Sequence, residues 1–307
     1  MTTTTTAGAR TAPAAGRRKA AAKPVPTGAD RIPKPSQGWY RDKVTGEKYR
    51  RVTTILDLGM PKTALIFWAG NITAETALDN LPYLVSSSLR PAQREEAYDW
   101  LRRAHTRKKD ARAEIGSAVH KVIEAHVLGQ PIPEDLLDDD EIRPYLEHFL
   151  QFVTDWQVTF EASEMVVGNS TDCYAGTLDY LLKSPLIADR IGAPADAVII
   201  GDTKTGGELD VKGVYPEAGI QMSAYRAAEV CWLRDGTRLP MPAMHTTGVV
   251  LHLRPEGYRL IPVQCGPEVY AAFLHIKSVA EFQSTTANTV VGDALRPPAI
   301  ITKGAAA

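Results

Sequence analysis

The residues best placed for chemistry are Asp202 and Lys204, in the run Val198-Ile199-Ile200-Gly201-Asp202-Thr203-Lys204-Thr205-Gly206. Three apolar β-formers read as a buried strand, and residues two apart leave a strand on one face. A carboxylate beside an ammonium suits metal-assisted phosphodiester hydrolysis. The carboxylate holds a divalent cation, while the lysine positions or helps deprotonate the attacking water and offsets charge in the transition state. A lone Asp-x-Lys is more often a salt bridge at a strand's edge. The run Tyr174-Ala175-Gly176-Thr177-Leu178-Asp179-Tyr180 supplies a second carboxylate, with Gly176 permitting close backbone approach. Aspartate is disfavoured inside strands, which asks for a reason. Metal coordination is one; a hairpin aspartate or a hydrogen-bonded structural aspartate is the other.

A helical stretch from Glu114 to Glu124 adds a histidine. Gly116 and His120 are four apart and share a face, as do His120 and Glu124; a small Gly116 would let the helix pack closely on a sheet and bring the imidazole to its rim. A single helical histidine is usually structural. His126 falls roughly 240° around the helix from His120, so the two are not an HxxxH ligand pair. Gln221 and Tyr225 sit one turn apart on a later helix, able to brace a metal site or contact DNA, or to be ordinary polar residues of an amphipathic helix. Glu161 and Glu164 are further candidates for a second metal or a supporting role, with solvation at a sheet edge slightly favoured.

The elements that must carry these residues follow from periodicity. Ordered chain begins near Trp39, with Gly46 as a turn. A helix starts near Thr63, a long helical pattern runs from about Pro91 to Leu128 and stops at Gly129-Gln130-Pro131, and an acidic loop from Glu134 to Glu141 leads into an amphipathic helix over 145–156. Strands are expected at 159–167, 174–183, 197–203, 246–254 and 257–264, and helices near 214–234 and 267–283. This order describes an α/β or α+β fold, a mixed central sheet flanked by helices. The division is a disordered basic tail (1–36), a mostly helical extension (37–110), a core carrying the site (111–284) and a loose C-terminal tail (285–307).

The chain of 307 residues is 44% hydrophobic and 23% charged, the balance of a globular protein with a sizeable core. No run approaches the roughly 20 apolar residues of a membrane span, and the N-terminus has no apolar signal segment, so a cytoplasmic location is expected. Net charge is −1, yet seven of the Lys and Arg residues fall in the first 36 positions against one acid, Asp30. Those positions hold almost no large apolar side chain and cannot offset ordering entropy; they read as an electrostatic tether to nucleic acid or a solubilising tail. A second basic cluster, Arg102, Arg103, Arg107, Lys108, Lys109 and Arg112, lies upstream of His120 and is a solvated helix face or a DNA contact. The three cysteines, Cys173, Cys231 and Cys265, form no CxxC pair, so a disulfide framework or a four-cysteine iron-sulfur cluster is not expected; each reads as a small buried apolar residue.

Singly these signals are weak, but their order and spacing carry more. Gly-xxx-His on a helix, Gly-Thr-Leu-Asp on a strand, Gly-Asp-x-Lys-Thr-Gly on the next and Gln-xxx-Tyr on the following helix resemble the RecB-like signature of the PD-(D/E)XK nucleases, between Gly116 and Tyr225. Looser similarity from Arg51-Val52-Thr53-Thr54-Ile55 through Pro61-Lys62 to Trp68 resembles phage-type exonucleases of that group. The resemblance implies a restriction-endonuclease-like core with an N-terminal helical extension, Mg²⁺ or Mn²⁺, and cleavage of DNA phosphodiesters in recombination, repair or phage DNA processing. His120, Asp179 and Asp202 would be metal ligands, with the backbone carbonyl of Thr203. Lys204 would be the catalytic lysine, with Gln221 and Tyr225 in support and Glu124, Arg107 and Lys108 as further supporting or DNA-binding residues. Asp202 stands where many relatives have Glu, which shortens the reach but keeps a hard oxygen ligand.

Without GxxxxGK[ST] an ATP site is not expected, so helicase activity would come from another chain. The implied partners are DNA ends, single- or double-stranded, with a helicase, recombinase or annealing protein and a homo-oligomer as further options. A helical region over 62–128 forming a channel or arch would favour an exonuclease. The alternatives are an endonuclease, or a catalytically silent DNA-binding protein that kept the fold.

Overall fold

The computed structural model describes residues 27–207, 209 and 214–296. A 3-10 turn at Gly28–Arg31 leads into a small meander of β1 (Lys34–Ser36), β2 (Trp39–Arg41) and β3 (Lys48–Arg51). Helices α1 (Val52–Gly59), α2 (Thr63–Asp79), α3 (Leu81–Ser88), α4 (Pro91–Arg102) and α5 (Ala104–Val127) follow, then the short α6 (Glu134–Leu137) and α7 (Arg143–Asp155). The central hairpin is β4 (Thr159–Asn169) and β5 (Tyr174–Lys183). After it come α8 (Pro185–Ile191), β6 (Ile199–Lys204), α9 (Pro216–Arg226), β7 (Val230–Trp232) and β8 (Arg238–Pro240). The chain closes with β9 (Thr247–Arg254), β10 (Gly257–Gln264), α10 (Pro267–Ser284) and α11 (Ala287–Val290).

All ten strands join one mixed sheet. Most ladders are antiparallel; β3 runs parallel to β5, and β6 parallel to β9. Strand alternation sends neighbouring residues into two cores. Ile200 and Val250 face a core with Val52, Ile55 and Leu56 of α1, Met222 and Tyr225 of α9, and Phe273 of α10. Ile199, Val249 and Leu251 face a core with Val119, Val122 and Ile123 of α5, and Phe149 and Phe152 of α7. Each such side chain contributes about 1.5–3 kcal/mol by burial, so both faces of the sheet are held by packed helices.

The five expected strands are present, within two residues at each end. The differences lie elsewhere. Part of the segment read as a disordered tail, 27–36, has a 3-10 turn and a strand; residues 1–26 lie outside the described residues. The helix α1 belongs to the main core and not to a separate extension. The expected long helix over 91–128 breaks at Arg103, whose N–H turns back to the Asp99 and Leu101 carbonyls. The acidic loop holds α6, where Glu134 and Asp135 favour a helix N-terminus. The helix expected over 214–234 ends at Arg226, because Val230–Trp232 finds a strand partner in Val166–Gly168 of β4. Cys231 and Cys265 are buried as expected, but Cys173 is exposed at a turn with φ +54. Among the described residues no helix is long and apolar enough to cross a membrane.

Candidate metal centre

The sheet opens where Asp179 stands. One edge of β5 pairs with β4 along its whole length. On the other edge β3 takes Tyr174 and Ala175, and β6 takes Tyr180 to Leu182; residues 176–179 lie between the two ladders. The in-and-out alternation also slips there. Leu178 faces the α1/α9/α10 core, while Tyr180 and Leu182 face the α5/α7 core. Across the hairpin, Glu164 has φ +47, a left-handed conformation unusual for a residue with a side chain. Strain of this kind persists where the surrounding structure enforces it and gathers at functional sites.

These irregularities bring His120 of α5, Glu164 of β4 and Asp179 of β5 together, with one ligand atom from each within 4.8 Å of the others. His120 Nδ1 lies 3.5 Å from Glu164 Oε1 and 3.8 Å from Asp179 Oδ2. The Thr203 N–H donates to Asp179 Oδ2 at 2.7 Å, which ties β6 to the gap in β5. Beside this trio, the Lys204 ammonium lies 2.6 Å from Asp202 Oδ2. That oxygen is buried and takes no hydrogen bond of good geometry. Gln221 Nε2 donates to Asp202 Oδ1 at 3.4 Å and to the Tyr225 hydroxyl at 3.3 Å.

Electrostatics follow from crowding carboxylates in a sheltered place. Burial pushes Asp202 up to about 6, against the pull of Lys204. Burial likewise raises Asp179, opposed by His120 and Lys204. For His120, burial disfavours the cation, but the Glu164 hydrogen bond and the Asp179 charge outweigh it and raise the imidazole to about 9. Burial also works against the Lys204 cation, and Asp202 with Asp179 more than compensates, leaving it raised. The buried Asp202 and the partly buried Asp179, both with raised proton affinity and with one imidazole within reach, fit a bound cation by their donor chemistry: a hard oxygen-rich set with one nitrogen.

The glycines of the motifs have visible duties. A side chain at Gly176 would run into the Tyr225 ring, and one at Gly201 into the Tyr180 ring. A Cβ at Gly116 would stand 3.2 Å from Thr205 Oγ1, so α5 approaches the chain just beyond Lys204. The resulting cleft has a volume of about 650 Å³.

Of the sequence candidates, His120, Glu124, Asp179, Thr203, Lys204, Gln221 and Tyr225 line the cleft, and Asp202 lies just beneath it, buried. The closest grouping differs from the expected ligand set. Glu164, slightly favoured as a solvated edge residue, stands with His120 and Asp179, whereas Asp202 is engaged by Lys204 and Gln221. Glu161 does lie at the surface, paired with Lys183 at 3.1 Å. Glu124 is drawn to Arg234 at 2.5 Å. Arg107 donates to the Trp100 carbonyl at 2.7 Å and stacks on its ring, so it closes the corner between α4 and α5 instead of facing the cleft. Lys108 is exposed and outside the cleft lining. Tyr40, Arg51 and Thr177 also line the cleft, though sequence reasoning assigned none of them a role in the site; the Tyr40 and Thr177 hydroxyls are 2.9 Å apart. Arg51 and Thr177 stand within the sequence motifs without a role of their own, and nothing pointed to Tyr40, since β2 and β3 join β5 only in the folded sheet. Among the described residues, those of the 62–128 helical region that line the cleft all belong to α5.

No protein-family model matches the chain, and no curated protein matches it. Among solved structures, one titled "Crystal structure of SSO0001" is similar over 77% of this chain and 75% of that one, at 11% identity and a TM-score of 0.31. A likeness that slight carries no argument about function.

Proposed function

We propose that this protein is a divalent-metal-dependent DNA nuclease, and that His120, Glu164 and Asp179 would hold the cation, with Asp202 beside them on the neighbouring strand as a further ligand. The observation that carries the reading is the convergence of an imidazole and two carboxylates within 4.8 Å of one another, with an ammonium-carboxylate pair on the neighbouring strand. The antiparallel run β4, β5, β6, the parallel β9 beyond it, α5 on one face and α9 on the other support a restriction-endonuclease-like core.

A cation of the Mg²⁺ or Mn²⁺ class supplies Lewis-acid polarisation of the scissile phosphoryl group. The residues do the rest. Asp179 keeps its orientation through the Thr203 N–H. Asp202 is braced by Gln221, which is in turn seated on Tyr225. Lys204, with its raised affinity for the proton, acts as a cation toward the phosphate and the developing negative charge. Arg51 and Lys121, both in the cleft lining, add positive charge for the DNA backbone. Action at DNA ends belongs to the reading as an expectation from the sequence resemblance.

The test is incubation of purified protein and its Asp202→Ala variant with end-labelled linear DNA, single- and double-stranded, with Mg²⁺, Mn²⁺ or EDTA. Metal-dependent cleavage by the wild type alone supports the reading. Binding without cleavage in every metal replaces it with a silent DNA-binding protein. Digestion of covalently closed circles at the linear rate replaces the exonuclease with an endonuclease.

A further inference from the structure

Lys204 ends β6, and the chain beyond it is held by side chains from a different hairpin. His252 and Arg254 are two apart on β9 and share a face. His252 Nε2 lies 2.9 Å from the Gly206 carbonyl, and Arg254 Nη1 donates to the Thr205 carbonyl at 2.7 Å. From β10, Arg259, the ladder partner of His252, donates to the Leu209 carbonyl at 2.5 Å. β9 also pairs directly with β6, with His252 opposite Lys204. One strand therefore aligns the lysine and grips the two carbonyls that follow it.

The His252 ring is 2% exposed, and its Nδ1 is buried without a partner. A carbonyl neighbour requires a proton on Nε2, so the ring donates there whichever form it takes. A buried polar atom without a partner is uncommon and asks for a reason. Here the other ring nitrogen supplies it, because an apolar residue of similar size would fill the space and leave Gly206 unheld. On the opposite side, Thr205 faces α5 at Gly116. Thr205 and Gly206 both line the cleft, so their placement sets one wall of the site.

We propose that His252 and Arg254 are positioning residues for Lys204: by holding the Gly206 and Thr205 carbonyls they fix the chain leaving the lysine, and with it the reach of the ammonium toward Asp202 and a bound phosphate. The kinetic part of this rests on the nuclease reading; the conformational part does not.

The test uses the full chain with His252→Leu, which fills the space without a donor, and His252→Gln, whose amide nitrogen can replace Nε2. Hydrogen exchange of the metal-free protein and steady-state cleavage are measured side by side. In the Leu variant, exchange should rise in peptides covering residues 203–209 and stay unchanged in those covering β4. Its kcat should fall by about tenfold or more with KM unchanged, the scale of a small misplacement of a reacting group. The Gln variant should restore both. If His252→Leu does not fold, Arg254→Met, which keeps the stem and removes the donor, is read by the same criteria. Unchanged exchange at 203–209 in the Leu variant, or a Gln variant as impaired as Leu, overturns the proposal. A wild type that cleaves nothing overturns the nuclease reading instead, and the exchange result then decides the conformational claim alone.

Discussion

Glu164 and Asp179 face each other across the β4–β5 hairpin, and each sits where its strand departs from regular alternation. Replacing Asp179 by Asn keeps the shape and removes the charge; cleavage should fall by at least about 10²-fold, as for loss of a preorganised electrostatic group, with far-UV circular dichroism unchanged. The raised proton affinities give a pH dependence with a definite sign. His120, ordinarily near 6.5, is raised to about 9, so its ion pairs stabilise the metal-free protein below 6.5 and that contribution is lost as pH rises through 9. Asp202, raised from 3.8 to about 6, acts in the same direction: its contribution is present below 3.8 and lost through 6. A cation competes with both protons. The increase in Tm produced by Mn²⁺ should therefore be larger at pH 8.5 than at pH 6, and scanning calorimetry showing equal increments would contradict this assignment of the ligands. At this scale the sequence was legible where a motif fixed spacing: Asp179, Asp202, Lys204, Gln221 and Tyr225 sit as a group. It was illegible where the fold supplied the neighbour, as with Tyr40, brought in by β2; Glu164 is a candidate by sequence, but the solvated alternative weighs slightly more because no pattern announces its left-handed backbone.

The strands, α5 and α9 turn those residues into a site, and glycines set how closely they approach. At Gly176 even a methyl group meets the Tyr225 ring. Gly176→Ala should cost about 1–3 kcal/mol as overpacking and should also disturb Gln221 through Tyr225; denaturant unfolding and cleavage measured on one preparation would separate the two effects. Phe149 of α7 is fully buried beneath α5, and Phe149→Ala should cost about 3–5 kcal/mol while leaving the ligand residues in place. A loss below about 1 kcal/mol, against that expectation, would mean that α7 does not support α5 as described. Elements with a strong period were readable from the sequence: the strands at 159–183 and 246–264, and the helices α7 and α10. The elements that escaped are short and depend on a partner. Val230–Trp232 looks like a continuation of α9 until β4 offers it an edge, and α1 looks like part of an extension until α9 and α10 pack on it.

Across the whole molecule, the charge is uneven. The first 26 residues hold Arg10, Arg17, Arg18, Lys19 and Lys23 and no acid, while the cleft is lined by Glu124, Glu164 and Asp179, with Asp202 buried beneath it. If the N-terminal positions tether DNA, removing them should weaken DNA binding and lower the slope of log affinity against log salt, by about 0.9 for each duplex phosphate that they neutralise. An unchanged slope would leave them a solubilising role. The account's central claim joins cation binding to cleavage at one trio of residues. The most direct measurement is the cleavage rate of an end-labelled duplex as a function of Mn²⁺ concentration, for the wild type and for Glu164→Gln. The account predicts a saturable, EDTA-sensitive rate for the wild type and a curve displaced to higher Mn²⁺ by at least about tenfold for the variant. Coincident curves, or no cleavage at any Mn²⁺ concentration, would contradict it.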